Sequence, residues 1–408
     1  MDKSAVNNEQ DINALIRVQP AAHSLMQPFY LSHEIYQRDV ANMLMEHWHC
    51  VGHVSMIATP GEWFTYELDR ESVIIVRGHD NVVRGLANVC THRGSRLCYE
   101  RSGRAKSDVL VCPYHAWVFK LDGSLRNARM MPDDFDKDGH RLKKVPLHVI
   151  EGLIFVTFAE KPLDISAVEE TITSSLGVHG WASAKVATQK SYTVYANWKL
   201  ALENQMECYH CAPSHPDYTR LHSQARPGAD DLTCAMENRA AAQGVRIPAR
   251  DQWALQAKFG AEADYCRRYA MWEGILTGSE DGQPVAPLMG QLKEYDGGMT
   301  LVYAGPVSFF IAYNDYGAIF RYAPKSVGET EMHVTWLVRG DAVEGRDYDV
   351  DKLTWVWRIT SEADKLIVEQ NQLGVQSRYY RPGPYALPIE SSTLRFIEWY
   401  LNDIRKAV

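Results

Sequence analysis

The 408-residue chain contains no run of about 18 apolar residues, so no membrane-spanning helix is expected. Its opening, MDKSAVNNEQDINALIRVQP, has no basic stretch followed by an apolar one, so no secretory signal is expected either. Basic charge is not in excess: 43 Lys and Arg stand against 51 Asp and Glu, a net charge of −8. That balance argues against nucleic acid or an anionic membrane as the main partner. Cysteine is scarce, with eight scattered residues, too few and too irregular for a disulfide framework and better suited to a reducing cytoplasm where some thiolates bind metal. No glycine-rich dinucleotide fingerprint follows a strand-like run, so nicotinamide is not expected to bind this chain. Internal repeats and low-complexity tracts are also missing. The expectation is a soluble, cytoplasmic protein of two or three domains.

What is present changes character along the chain. Residues 1–45 are polar and partly helical, and the stretch His33–Trp48 has an amphipathic pattern. Residues 46–160 carry short β-type runs such as SVIIVRG, DVLVCPY, LIFVTF and WVFKLDGSL, the last with an Asp-Gly turn. Residues 161–408 begin with strand-like alternation that turns helical near Trp198. They continue with neighbouring antiparallel strands in MTLVYAGPVSFFIAYNDYGAIFRYAP and MHVTWLVRG, then two helical stretches. Strands followed by helices predict an α+β fold, with an all-β domain ahead of a sheet flanked by helices and the N-terminal segment joined to the latter. The segment Ala225–Asp296 shows little periodicity and reads as a helical or loop insertion that covers a pocket.

The β-rich region holds CTHRG and CPYHAW, which supply Cys90, His92, Cys112 and His115. Two thiolates and two imidazoles suit either a structural zinc ion or a Rieske [2Fe–2S] cluster, with the sulfurs on one iron and the imidazoles on the other. Each loop here gives one Cys and one His, so two mirrored loops clasp an object with two metals, whereas common zinc fingers pair Cys with Cys and His with His. The layout favours the cluster. Cys98, between the loops, reads as a small packed side chain.

Both loops, with Arg-Gly after the first His and Trp after the second, resemble the Rieske signature. A Rieske ferredoxin would need only the β domain, so the long remainder calls for another role. ENQMECYHCAPSHP offers His210 and His215, with Glu207 one helical turn before His210. Pro213 and Pro216 are expected to end that helix and swing His215 towards a common centre. Two His and one carboxylate with open positions describe the facial triad of non-haem Fe(II) oxygenases. Glu207 is too near His210 to be the obvious third ligand, and the helical stretch SEADKLIVEQNQLGVQS carries Glu362, Asp364 and Glu369.

From about residue 25 to 405 the chain resembles the α subunit of Rieske non-haem iron oxygenases, the ring-hydroxylating oxygenases. The resemblance implies cluster ligands Cys90, His92, Cys112 and His115, and mononuclear iron ligands His210, His215 and Asp364. Glu362 and Glu369 then become solvated or supporting groups. Glu207 matches the carboxylate that bridges an iron His and a cluster His of the neighbouring subunit. A head-to-tail homo-oligomer, usually a trimer, is implied, together with a separate NAD(P)H-dependent flavin and iron–sulfur reductase.

Glu-Cys-Tyr-His-Cys resembles the branch that acts on quaternary ammonium and N-methyl compounds: glycine betaine, carnitine and stachydrine oxygenases. GPVSFFIAYNDYGAIF and YYRPGP are similar to that branch as well. The implied reaction is monooxygenation of an N-methyl carbon with release of formaldehyde. Hydroxylation or dihydroxylation of an aromatic substrate is the alternative, and a non-catalytic zinc-stabilised binding protein is the third reading. Phe309, Phe310, Tyr313 and Tyr316 lie in the right domain for an aromatic cage, but such alternation is usually core, and no substrate-binding residue is assigned.

Overall fold

The computed structural model describes residues 12–224, 228–251 and 262–406. The run Glu71–Arg77, with β-branched residues buried on both faces, forms the centre of a five-stranded antiparallel sheet. Its order is Ser102–Arg104, Glu62–Leu68, Glu71–Arg77, Val83–Ala87, Lys144–Val145. A three-stranded sheet packs beside it, made of Val109–Val111, Val118–Lys120 and Leu125–Asn127. The Asp-Gly turn joins the last two: Gly123 takes φ +83°, and Asp122 Oδ1 accepts the Ser124 N–H at 2.8 Å. A further small sheet, His49–His53, Leu153–Val156 and Leu147–Ile150, leads towards the second half of the chain.

That half is built on a seven-stranded antiparallel sheet. Its order is Ala184–Val194, Glu329–Arg339, Gly317–Ser326, Ser308–Ala312, Gly298–Ala304, Asp264–Ala270, Arg250–Asp251. Alternation along the strands divides the core in two. Phe309 and Ile311 share one apolar cluster with Trp198, Trp357 and Tyr400, which come from the helices Trp198–Gln205, Val350–Val375 and Ser391–Lys406. Phe310 and Ala312 point the other way, to Trp181, Phe155 and Ile172 of the helix Ser166–Ser175. The fold is α+β, with the helices Trp198–Gln205, Val350–Val375 and Ser391–Lys406 packed on one face of this sheet.

The N-terminal segment packs against this helical layer. The helix His33–Asp39 runs on into a wider π-helical turn at Val40–Leu44. Asp39 is fully buried and pairs with Lys199, while Trp198 Nε1 donates to it at 3.1 Å and Tyr400 Oη at 2.8 Å. No helix among the described residues is long and apolar enough to cross a membrane.

Three local expectations change. Within Ala225–Asp296, residues 225–227 and 252–261 lie outside the described residues, and the remainder is not an insertion over the sheet. It holds the helix Ala229–Ala242 and two strands of the sheet itself, Arg250–Asp251 and Asp264–Ala270. The helix that starts at Trp198 stops at Gln205, so Glu207 and His210 sit in a turn after it rather than on one helical face. Pro213 does not end a helix; it sits inside the short helix Cys211–Ser214, where a first turn needs no amide from it, and Pro216 opens the next helix, Pro216–Thr219.

Candidate active site

The first group of donors lies on two loops with the same internal bonding. Cys90 N–H donates to the carbonyl of Ser95 at 2.8 Å, and Gly94 N–H donates to that of Cys90 at 2.9 Å. Cys112 N–H donates to the carbonyl of Trp117 at 2.8 Å, and Ala116 N–H to that of Cys112 at 3.0 Å. Gly94 at φ +77° and Ala116 at φ +57° both take the left-handed conformation this turn demands, at a cost of about 1 kcal/mol for alanine. The first loop follows the strand Val83–Ala87, and the second closes the hairpin between Val109–Val111 and Val118–Lys120.

The loops bury their sulfurs and present their imidazoles. Cys90 and Cys112 are buried, while His92 and His115 are exposed with ring centroids 4.7 Å apart. Burial and the adjacent Cys112 thiol hold the Cys90 thiol above its ordinary range. An aromatic ring steadies each imidazole: Trp117 stacks on His92 at 4.6 Å and 9°, and Tyr114 on His115 at 3.9 Å and 26°. Two inward thiols and two outward imidazoles fit a two-iron cluster with a sulfur-bound and a histidine-bound iron. Cys98 is buried, and burial pushes its thiol up to about 12, so it stays protonated.

The second group forms where the turn 207–215 meets the long helix Val350–Val375. Asp364 Oδ1 lies 3.2 Å from Nε2 of His210 and 3.0 Å from Nε2 of His215. Both nitrogens of His215 and Asp364 Oδ1 are buried without a properly aligned hydrogen-bond partner. Such orphaned lone pairs are rare unless something else occupies them, and a cation that accepts nitrogen and oxygen ligands suits this set. Asn204 Nδ2 approaches the same Nε2 of His210 at 3.2 Å. Burial opposes protonation of His210, but the neighbouring carboxylates of Asp364 and Glu207 win and push it up to about 9. The same histidines keep Asp364 below its ordinary value despite its burial.

Glu207 holds the turn together. Its Oε1 accepts from His210 Nδ1 at 2.5 Å, and Oε2 accepts the backbone N–H groups of Tyr209 and His210. Cys208 and Cys211, on either side of this turn, form a disulfide that the scattered cysteine count gave no reason to expect. Glu362 is exposed and pairs with Lys190 Nζ at 3.0 Å, and Glu369 accepts the Tyr195 N–H at 2.9 Å. Neither reaches the histidines.

A cavity of about 580 Å³ opens on His210, His215 and Asp364. Its other walls were not found by reading the sequence. Tyr265, Arg267 and Tyr269 alternate along the strand Asp264–Ala270 and face it, opposite Tyr303, Leu301 and Met299 of the next strand. Tyr218 and Trp357 come from the helices. Phe309, Phe310, Tyr313 and Tyr316 are buried and do not line it. The available signal was the alternation in YCRRY. A second cavity of about 390 Å³ shares Asn204, Glu207 and His210, so the Glu207 carboxylate is reached from two sides.

Comparison with known proteins agrees with this geometry. Residues 47–146 match the Rieske [2Fe–2S] domain, and residues 181–405 match the ring hydroxylating alpha subunit (catalytic domain). The chain is 34% identical over 400 residues to the glycine betaine monooxygenase oxygenase subunit of Chromohalobacter salexigens, covering 96% of this chain and 88% of that protein. It is 38% identical over 198 residues to the carnitine monooxygenase oxygenase subunit of Acinetobacter baumannii, 47% of this chain and 52% of that one. The fold matches a quaternary ammonium Rieske monooxygenase studied for carnitine oxidation and inter-subunit electron transfer, with a TM-score of 0.71 at 22% identity over 96% of this chain and 97% of that one. A Rieske domain also replaces the zinc alternative for the first loops. The chain belongs to the ring-hydroxylating alpha subunits, the Rieske non-haem iron monooxygenase oxygenase subunits, with a [2Fe–2S] domain ahead of a catalytic domain of the mononuclear non-haem iron type.

Proposed function

We propose that this chain monooxygenates an N-methyl group of a betaine-like quaternary ammonium compound. One oxygen atom of O2, with two electrons and two protons, converts N–CH3 to N–CH2OH and leaves water. The hydroxymethyl ammonium then loses formaldehyde and a proton to give the tertiary amine. The observation that carries this reading is the cavity wall. Tyr218, Tyr265, Tyr269, Tyr303 and Trp357 surround the space next to His210, His215 and Asp364. Each aromatic face attracts a trimethylammonium group by about 0.5–2 kcal/mol. Two relatives, named for glycine betaine and carnitine, support the same substrate class.

Cys90, His92, Cys112 and His115 would hold the [2Fe–2S] cluster, and His210, His215 and Asp364 the mononuclear iron. When bound, the cluster supplies electrons and the iron activates O2. The protein's own part is orientation. Glu207 accepts the Nδ1 proton of His210, which fixes the tautomer and leaves Nε2 for the metal. Asp364, buried between two imidazoles, adds negative charge at the same point. The rings of Tyr218, Tyr265, Tyr269, Tyr303 and Trp357 would hold the methyl group beside these residues.

Glu207 also serves as the bridge to a cluster histidine of a neighbouring copy in a head-to-tail homo-oligomer, a trimer in this reading. The exposure of His92 and His115, and the second opening onto Glu207, support it. Electrons come from a separate NAD(P)H-dependent flavin and iron–sulfur reductase, in the cytoplasm. The test is turnover by the purified red-brown protein with a surrogate reductase on a panel of trimethylammonium and aromatic compounds. Formaldehyde formed in proportion to a consumed betaine is the expected result. Phenols or ring diols without formaldehyde would overturn the proposal.

A further inference from the structure

Two consecutive arginines on the strand Asp264–Ala270 have opposite fates. Arg268 is buried, pairs with Asp296 and donates to Thr300 Oγ1 at 3.2 Å. Arg267 faces the cavity, between Tyr265 and Tyr269 on the same side of the strand. It is exposed and makes no ion pair among the described residues. A guanidinium on the cavity wall with no carboxylate partner among the described residues has donors to spare. The carboxylates of the cavity, Glu207 and Asp364, come from the opposite, helical wall. The space is therefore polarised, with acidic groups at the iron ligands and a cation on the sheet side.

We propose that Arg267 is the substrate's anion-binding residue, so that the enzyme takes zwitterions carrying a carboxylate as well as a quaternary ammonium. This rests on the reading of the cavity as a trimethylammonium site. The substrate's cationic end lies among the rings near His210, His215 and Asp364, which puts a methyl carbon at the reacting position. The carboxylate end accepts from Arg267, as planar guanidinium and carboxylate groups do in pairs. Arg395 also lines the cavity, but it is half-buried and already has interactions within the protein. Arg267 is thus a specificity-determining residue that acts away from the reacting atoms.

The experiment measures binding by calorimetry to the holoprotein, wild type, Arg267→Gln and Arg267→Lys. The probes are trimethylglycine, tetramethylammonium and 3,3-dimethylbutanoate, an uncharged-headed isostere that keeps the carboxylate. Arg267→Gln should weaken trimethylglycine and 3,3-dimethylbutanoate by roughly 10–100-fold, the size of a lost charge-assisted hydrogen bond. It should leave tetramethylammonium unchanged, and Arg267→Lys should recover part of the loss. In turnover, KM for trimethylglycine rises while kcat at saturation stays within about twofold. Equal trimethylglycine affinity in wild type and Arg267→Gln would overturn the proposal and leave the substrate class intact. If wild type ignores both ammonium probes yet binds 3,3-dimethylbutanoate through Arg267, the anion site stands and the ammonium reading falls.

Discussion

Glu207 and His210 are tied twice: a carboxylate oxygen sits 2.5 Å from the ring Nδ1, and the other oxygen accepts the backbone N–H of the same residue at 3.3 Å. The arrangement orients the His210 imidazole from behind, as carboxylates do for metal-bound histidines. Glu207→Ala should therefore leave the visible spectrum of the cluster and the iron content largely intact. Coupled product formation should fall by about 10–100-fold, the range for loss of a supporting partner. Single-turnover assays with chemically reduced protein check it, and product at the parental rate would remove Glu207 from its assigned role.

Asp364 is the carboxylate shared by His210 and His215. Replacing it with Ala should lower iron from about three to about two atoms per chain, because only the mononuclear ion is lost. The Rieske absorption should persist and product should disappear. Iron analysis alongside the visible spectrum separates this outcome from general unfolding, which would lose all the iron.

Asp39 and Lys199 are both fully buried and joined as an ion pair that links the N-terminal helix, the helix Trp198–Gln205 and Tyr400 near the C-terminus. Asp39→Ala strands a buried ammonium and should destabilise the protein by about 3–5 kcal/mol. Asp39→Leu combined with Lys199→Met, which removes both charges, should restore most of the loss. Denaturant midpoints of the three proteins decide between the two.

Glu203 sits half-buried beneath Tyr30 Oη, 2.8 Å away, and Tyr385 Oη, 3.3 Å away. Burial pushes its carboxyl up to about 7 from an ordinary 4.5, against the opposing effect of the tyrosine hydrogen bonds and Lys199. The folded state thus keeps a proton that the unfolded chain releases, and the associated stability is complete below pH 4.5 and is lost as pH rises through 7. Its size is at most about 3 kcal/mol. Glu203→Gln cannot ionise, so its melting temperature should decline less between pH 5 and 8 than that of the parent. Parallel curves would show that Glu203 does not titrate in this window.

The pairing of two matching loops was legible because each is a local unit: Cys90 with His92, and Cys112 with His115, are fixed by short turns whose chemistry is in the sequence. His210 and His215 were legible for the same reason. Asp364 was singled out among Glu362, Asp364 and Glu369 by resemblance, since only the fold brings the long helix against the turn. The helix expected to carry Glu207 ended earlier, yet the two residues still met because the carboxylate caps the turn that replaces it. The strand Asp264–Ala270 stayed hidden because one of its faces serves the core and the other a cavity, so neither is plainly polar and the usual alternation is blurred. With it, the whole sheet wall of the cavity was missed.

The neighbouring arginines of that strand have a bearing on assembly. A slip of one residue in pairing would reverse every side chain, turning Tyr265 and Tyr269 inward and setting Cys266 and Ala270 in their place. The guanidinium partnered by Asp296 and the one left facing the opening would trade positions, so charge alone cannot proofread the alignment. The phenol rings of Tyr265 and Tyr269, set opposite Tyr303 and Met299, distinguish the two faces where the arginines do not, so the cavity wall and the strand's register draw on the same side chains.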